Sequence, residues 1–215
     1  MAGLIDKDIR LLMQRKQTLV LAVGLALIIG FTQEGTFILG YLPFLCIIFS
    51  ISTISYDEME NGYTFLMTLP IDAKTYVREK YLFCIGGGVA SWVLAAAIYF
   101  ASEMIKGNDI EISSAALIAV SVLLTMVIFT VVMIPVQIKF GVEKSRIVMV
   151  IMFGIIAGIS FLYTRVLGTE AVNNVIAKLE QIEEKDIALG GFLITILVGI
   201  ISYLICCRIM QNKEL

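Results

Sequence analysis

The 215-residue chain is 59% hydrophobic and 16% charged, with a mean hydropathy of +0.94. Soluble domains are nearer about 45–50% apolar and about 25% charged, so a soluble enzyme, a secreted disulfide domain and a disordered chain are all excluded. Sixteen basic and eighteen acidic residues leave a net charge of −2 and no signal for nucleic acid, while the absence of histidine removes the usual proton shuttle and the commonest metal ligand.

In chain order, residues 2–16 predict an amphipathic helix lying in the membrane plane. Ile5, Ile9, Leu12 and Met13 recur at helical spacing, with Asp6, Lys7, Arg10 and Gln14 around the other side. Six apolar stretches follow, at 18–32, 36–56, 81–102, 113–138, 147–167 and 187–207, and they fill more than half the chain. A bilayer core needs roughly 20 helical residues. Five of the six meet that length, and the first, with fifteen residues, is short. Gln33, Glu34 and Gly35 form a tight turn between the first two spans. Asp72 is a good N-cap for a helix running from Ala73 into the third span. Gly107, Asn108 and Asp109 are turn chemistry, Pro135 predicts a kink in the fourth span, and Lys139 to Arg146 reads as a short basic loop. After Gly168, residues 168–186 predict a second amphipathic helix, its apolar stripe made by Val172, Val175, Ile176, Leu179 and Ile182.

Charge then orients the chain. Twelve of the sixteen basic residues fall in 1–17, 57–80, 139–146 and 208–215. The positive-inside rule places those segments, and so both termini, in the cytoplasm. The expected fold is an all-α integral membrane protein forming one transmembrane domain over 1–215. It has six spans, an interfacial helix at 2–16, a cytoplasmic loop at 57–80 and an external amphipathic helix at 168–186 before the sixth span.

Chemistry is scarce. Gly86 to Gly88 lack the lysine of a phosphate-binding loop and read as close helix packing, as do Gly154 and Gly158. Cys46, Cys84, Cys206 and Cys207 sit in apolar surroundings without metal-ligand spacing and read as small fillers. The spans hold almost no charge: Glu103 and Arg165 lie near external ends. No nucleophile–base pair or metal constellation is legible, so the chain reads as no enzyme. Most span hydroxyls are expected to bond a preceding backbone carbonyl. The second span concentrates Ser50, Ser52, Thr53 and Ser55 in six residues, which makes it a candidate cavity-lining helix, with Ser52, Thr53 and Tyr56 as weak substrate-path residues.

The most informative stretch is 57–81. Asp57, Glu58 and Glu60 precede Gly62 and an apolar run ending at Leu69 and Pro70. As a helix, Met59, Tyr63, Leu66 and Pro70 share one face, and Glu58, Gly62, Phe65 and Leu69 another. Two apolar faces suit an element resting on membrane helices on one side and fitting a protein groove on the other.

The run of Glu58, Gly62, Leu69, Pro70 and Lys80, with Lys74 to Lys80 as its basic-aromatic part, resembles the loop after the second span of ABC-2-class permeases, the membrane subunits of ATP-binding-cassette exporters. The compact form is similar to permeases that export phenol-soluble modulins. The resemblance implies a permease whose coupling helix spans Glu58 to Leu69. Glu58, Gly62, Tyr63, Phe65, Leu66, Leu69, Pro70 and Lys80 would be its ATPase-coupling residues, and the helix at 2–16 would match the family's elbow helix. Asp57 and Glu60, beside Glu58, leave open which acid meets the ATPase. Implied partners are two ABC ATPase subunits, a second permease copy or paralogue, and membrane lipid. No cofactor is implied for this chain, since ATP and Mg are held by the ATPase. The implied location is the cell membrane and the implied substrate an amphipathic peptide or lipid-like molecule. The alternative is a six-span substrate-binding protein or secondary carrier for a small molecule.

Overall fold

The computed structural model describes residues 2–14, 16–32, 36–58, 72–107, 112–166 and 184–213, with side chains at most of these positions. All of these residues lie in helices except Asp72 and Gly107, and one helix is broken internally at Gly141. The elements are α1 (Ala2–Gln14), α2 (Lys16–Thr32), α3 (Thr36–Glu58), α4 (Ala73–Lys106), α5 (Ile112–Val166) and α6 (Glu184–Lys213).

Among the described residues four helical segments are long and apolar enough to cross a membrane: Phe37–Glu58, Ala73–Lys106, Ala115–Gly141 and Ala188–Asn212. A fifth is reached only if α1 and α2, bent by 70°, are counted as one broken span. The expectation of six is therefore represented by four or five. The short first stretch is the reason on one side, since α2 has 17 residues and rises only about 25 Å. The predicted fifth span corresponds to the part of α5 beyond Gly141, where many side chains lie outside the described set. Residues 168–183 of the helix predicted at 168–186, and most of the 57–80 loop, are likewise outside it.

The outer surface of the bundle is apolar. Val20, Leu21, Leu82, Val93, Leu189, Phe192, Leu197 and Leu204 are all more than half exposed. A soluble protein rarely shows so continuous an apolar surface. A lipid-facing bundle must. The chain is a multi-pass membrane protein.

α3 packs chiefly against α4, and α5 against α6. The α3–α4 seam is close because Gly87 and Gly88 bear no side chain there. A Cβ on Gly87 would sit 3.1 Å from Ser50 Oγ, and one on Gly88 3.2 Å from Ile47. Gly86 faces open space, as do Gly154 and Gly158, so only part of the predicted small-residue packing is used. Cys46 donates to the Gly87 carbonyl at 3.6 Å, and all four cysteines are free thiols. The main core lies toward the end where α1 docks. It brings Leu4, Ile54, Tyr76, Val77, Cys84, Ile134, Ile138, Cys206 and Met210 together from five helices. A smaller cluster of Leu39, Tyr99, Ala115 and Ala119 closes the opposite end, where Trp92 Nε1 donates to the Ala119 carbonyl at 2.9 Å.

α4 begins at Ala73, as expected, but the Asp72 side chain makes no capping bond; its backbone carbonyl accepts from Thr75 at 2.9 Å and Tyr76 at 3.1 Å. Gly107 ends the helix at φ 69°, the left-handed conformation that glycine adopts without a Cβ clash. In α5, where a kink was predicted at Pro135 and a loop over 139–146, the non-helical residue is Gly141, at φ 71° and ψ −175°. The predicted loop 139–146 is helical apart from that residue. Proline removes the N–H that would bond the carbonyl four residues earlier. That carbonyl belongs to Val131, and Ser202 Oγ of α6 donates to it at 2.5 Å. Ser202 in turn sits 2.6 Å from the Tyr81 hydroxyl of α4, which then donates. The orphan left by Pro135 is thus filled from a neighbouring helix.

Ser202→Ala removes both links, and is expected to lower stability by about 1 kcal/mol, a fall in Tm of about 2–4 °C for a chain of this size. Thermal unfolding of the detergent-solubilised protein measures it; an unchanged Tm would mean the three-helix link contributes nothing.

Candidate functional site

The helices α1, α3 and α4 meet where α3 ends and α4 begins, on either side of residues 59–71. Five charged side chains gather there. Lys80, wholly buried, pairs with Asp57 Oδ2 at 2.7 Å and with Asp8 Oδ2. Lys7 pairs with Asp57 Oδ1 and lies 3.2 Å from Asp8 Oδ1. Tyr76 donates its hydroxyl to Asp57 Oδ2 at 3.0 Å, and Thr53 donates to Asp8 Oδ2 at 3.2 Å while also meeting the Ser50 carbonyl at 2.8 Å. The Lys80 ammonium stands 5.4 Å from the Tyr76 ring centre and 3.4 Å from Thr53 Oγ1. Glu79 is also fully buried; its carboxylate oxygens make no hydrogen bond, and Lys80 Nζ lies 3.9 Å from one of them.

An ammonium taken from water loses several kcal/mol of hydration, so Lys80 can be buried only where anions replace that water. Asp8 and Asp57 do so from two different helices. The cluster therefore fixes the end of α3, the start of α4 and the inner face of α1 in one arrangement. It is not a metal site: no group of three or more metal-ligating side chains able to hold an ion occurs among the described residues.

The inner face of α1 lies off the apolar stripe that was expected to meet the membrane. Leu4 and Asp8 point inward, whereas Ile9 and Met13 are 44% and 62% exposed. The helix thus docks through a carboxylate and leaves those two apolar residues outward. The expectation of nearly chargeless spans also changes. Asp57 and Lys80 each fall one residue outside the apolar stretches 36–56 and 81–102, yet both lie in the helices that carry those stretches.

Of the residues expected to couple to an ATPase, Glu58 ends α3 and Lys80 is the centre of the cluster. Gly62, Tyr63, Phe65, Leu66, Leu69 and Pro70 lie outside the described residues. The Glu58 carboxylate occupies the space that a Cβ at Gly141 would need, so the foot of the loop touches the break in α5. One turn away, Gln137 Nε2 of α5 donates to Ser55 Oγ of α3. Among the substrate-path residues, Thr53 joins the cluster, Ser52 bonds the Phe49 carbonyl at 2.6 Å, and Tyr56 is half-buried beside Asp57. Ser121, Thr125, Thr130 and Thr195 bond a preceding carbonyl, as expected, at 2.7–2.8 Å. Asp8, Lys7 and Glu79 escaped the sequence reading. A usable signal existed for Asp57 and Lys80: opposite charges at the adjoining ends of two consecutive hydrophobic helices.

A family model described as ABC-2 family transporter protein matches residues 3–211. The chain belongs to the ABC-2 transporter family. The match runs from α1 to the last turns of α6, so the α1 docking site falls inside the shared architecture of this ABC-2 protein. Comparison with curated proteins and with solved structures returned no match.

Two outcomes are expected of the cluster. Lys80→Met strands two buried carboxylates and should destabilise the ABC-2 protein by about 3–5 kcal/mol. Adding Asp8→Asn and Asp57→Asn should recover much of the loss, as coupled sites do; denaturant unfolding in mixed micelles reads both. Gly141→Ala forces a Cβ into the Glu58 carboxylate at a left-handed φ and should lose about 1–2 kcal/mol from the backbone alone. In the Glu58→Ala background the same change should cost less.

Proposed function

We propose that this ABC-2 family member is the permease subunit of an ATP-driven exporter. In this reading it crosses the cell membrane six times with both termini in the cytoplasm, and α1 lies at the cytoplasmic interface. Two separate ABC ATPase subunits bind ATP and Mg and seat Glu58 to Leu69 of the 57–80 loop as the coupling helix. A second permease copy or paralogue completes the pathway, and an amphipathic peptide or lipid-like molecule is the cargo.

The observation that carries this reading is the position of the ion cluster. Its residues Asp57 and Lys80 stand at the two feet of the loop, and both are tied to α1 through Lys7 and Asp8. A push on the loop is then delivered to α3, α4 and α1 together, because separating any one of them strands a buried charge. Contact of Glu58 with Gly141 extends the same push to the break in α5. An apolar bundle whose buried charges, among the described residues, gather at one end suits a cargo that is itself mostly apolar.

The test is co-expression with the ABC ATPase proposed as its partner. Gly62→Trp should reduce the ATPase retained through purification at least tenfold, while the permease itself stays folded by thermal unfolding. Wild-type retention would remove the coupling assignment. High-affinity binding of one small molecule by the permease alone would favour the binding-protein alternative.

A further inference from the structure

Between α5 and α6, on the outward side of the bundle, lies an open groove of about 390 Å³. Its walls are apolar side chains, among them Pro135, Val136, Ile201, Ile205 and Ile209. Ile201 and Ile205 are each 49% exposed, so the groove opens toward the surrounding membrane. It exists because the helices are held at a fixed distance by the Ser202–Val131 bond while short valines and a proline line the gap.

The end of the groove nearer the α1 dock is cationic. Lys139 lines it and is exposed, with its ammonium 5.2 Å from the centre of the Phe140 ring. Arg208, also exposed, follows Ile201 by seven residues and so lies on the same stripe of α6, one turn beyond Ile205. No acidic residue occurs in 131–141 or in 198–212. Glu58 approaches α5 at Gly141, a residue some 200° around the helix from Lys139.

An apolar slot lined at one end by Lys139, with Arg208 one turn beyond Ile205 on the same stripe of α6, suits an anionic phospholipid: acyl chain along the groove, phosphate toward the cations. Basic pockets between membrane helices bind such headgroups, each cation contributing about a fivefold gain. We propose that the α5–α6 groove is a binding site for an anionic phospholipid, held by its acyl chain against Val136, Ile201 and Ile205 and by its phosphate at Lys139 and Arg208. Placing that lipid in the cytoplasmic leaflet rests on the orientation proposed above; the preference for an anionic headgroup does not.

The test uses the full chain in phosphatidylcholine vesicles carrying a trace of phosphatidylglycerol with a photoactivatable acyl chain, and mass spectrometry of the labelled peptides. Label should appear in 130–141 and 197–212. Unlabelled phosphatidylglycerol should displace it far better than phosphatidylcholine of the same chains. The double variant K139Q/R208Q should erase that preference, a change of about 25-fold, and Ile205→Trp should lower labelling by filling the slot. Helical circular dichroism and gel filtration confirm that both variants remain folded. Equal displacement by the two lipids overturns the proposal, as does label unaffected by Ile205→Trp. If the groove is labelled only after a dimer is dissociated, its occupant is a second copy and the proposal falls. Label discharged by ATP turnover in the complex with the ATPase would make the occupant cargo, which also overturns a resident lipid, while leaving the transport reading intact.

Discussion

A buried lysine with no water to solvate it sets the geometry of this molecule. Lys80 sits in the first turns of α4, wholly inside the protein, and its charge is met by Asp8 of α1 and Asp57 of α3. Neither carboxylate comes from its own helix, so the charge is balanced only when three helices are in register. The net energy of such a cluster is small, because desolvation offsets much of the attraction. Its effect is on specificity: sliding or withdrawing any partner strands a charge in a low-dielectric interior, where that is most costly.

The same logic recurs at a smaller scale through the bundle. Helices in lipid have no hydrophobic incentive to pair, so close packing and polar contacts choose the partners. Gly87 and Gly88 let α3 approach α4, Gln137 ties α5 to Ser55, and Tyr81 and Ser202 supply the bond that Pro135 withholds from Val131. These links cluster toward the end where α1 docks, and there the helices also meet the only non-helical residue within α5, Gly141. The bundle is thus laced at the end where the 57–80 loop enters and leaves. The apolar groove between α5 and α6 runs along this same stretch, from Val132 to Phe140 on α5 and from Val198 to Ile209 on α6.

Much of this was legible from residues alone. The start of α4 at Ala73 and its stop at Gly107 follow from local turn chemistry, and apolar runs of membrane length became the long helices. Glycine packing and carbonyl-bonded hydroxyls were read correctly where the residue faces a neighbour. Other expectations failed for identifiable reasons. Lys139 to Arg146 was expected to be a loop, but the departure from helix is confined to Gly141, where φ is positive, while the carbonyl orphaned by Pro135 found Ser202. The stripe of Ile5, Ile9, Leu12 and Met13, expected to meet the membrane, gave no sign that the inward position belongs to Asp8, whose partners lie 45 and 72 residues away.

Hydropathy and local signals determine which segments are helices, that they belong in a membrane, and roughly where they begin and end, because those properties depend on neighbours within a few residues. The loop motif also pointed to the ABC-2 family before any helix was placed. Only the tertiary structure decided which charges are buried and with whom, since a lysine and an aspartate read as surface residues until distant helices exclude water from both. It also decided that α5 and α6 leave an apolar groove with Lys139 in its wall. The width of a gap depends on how two helices are held apart, a quantity that no single segment encodes.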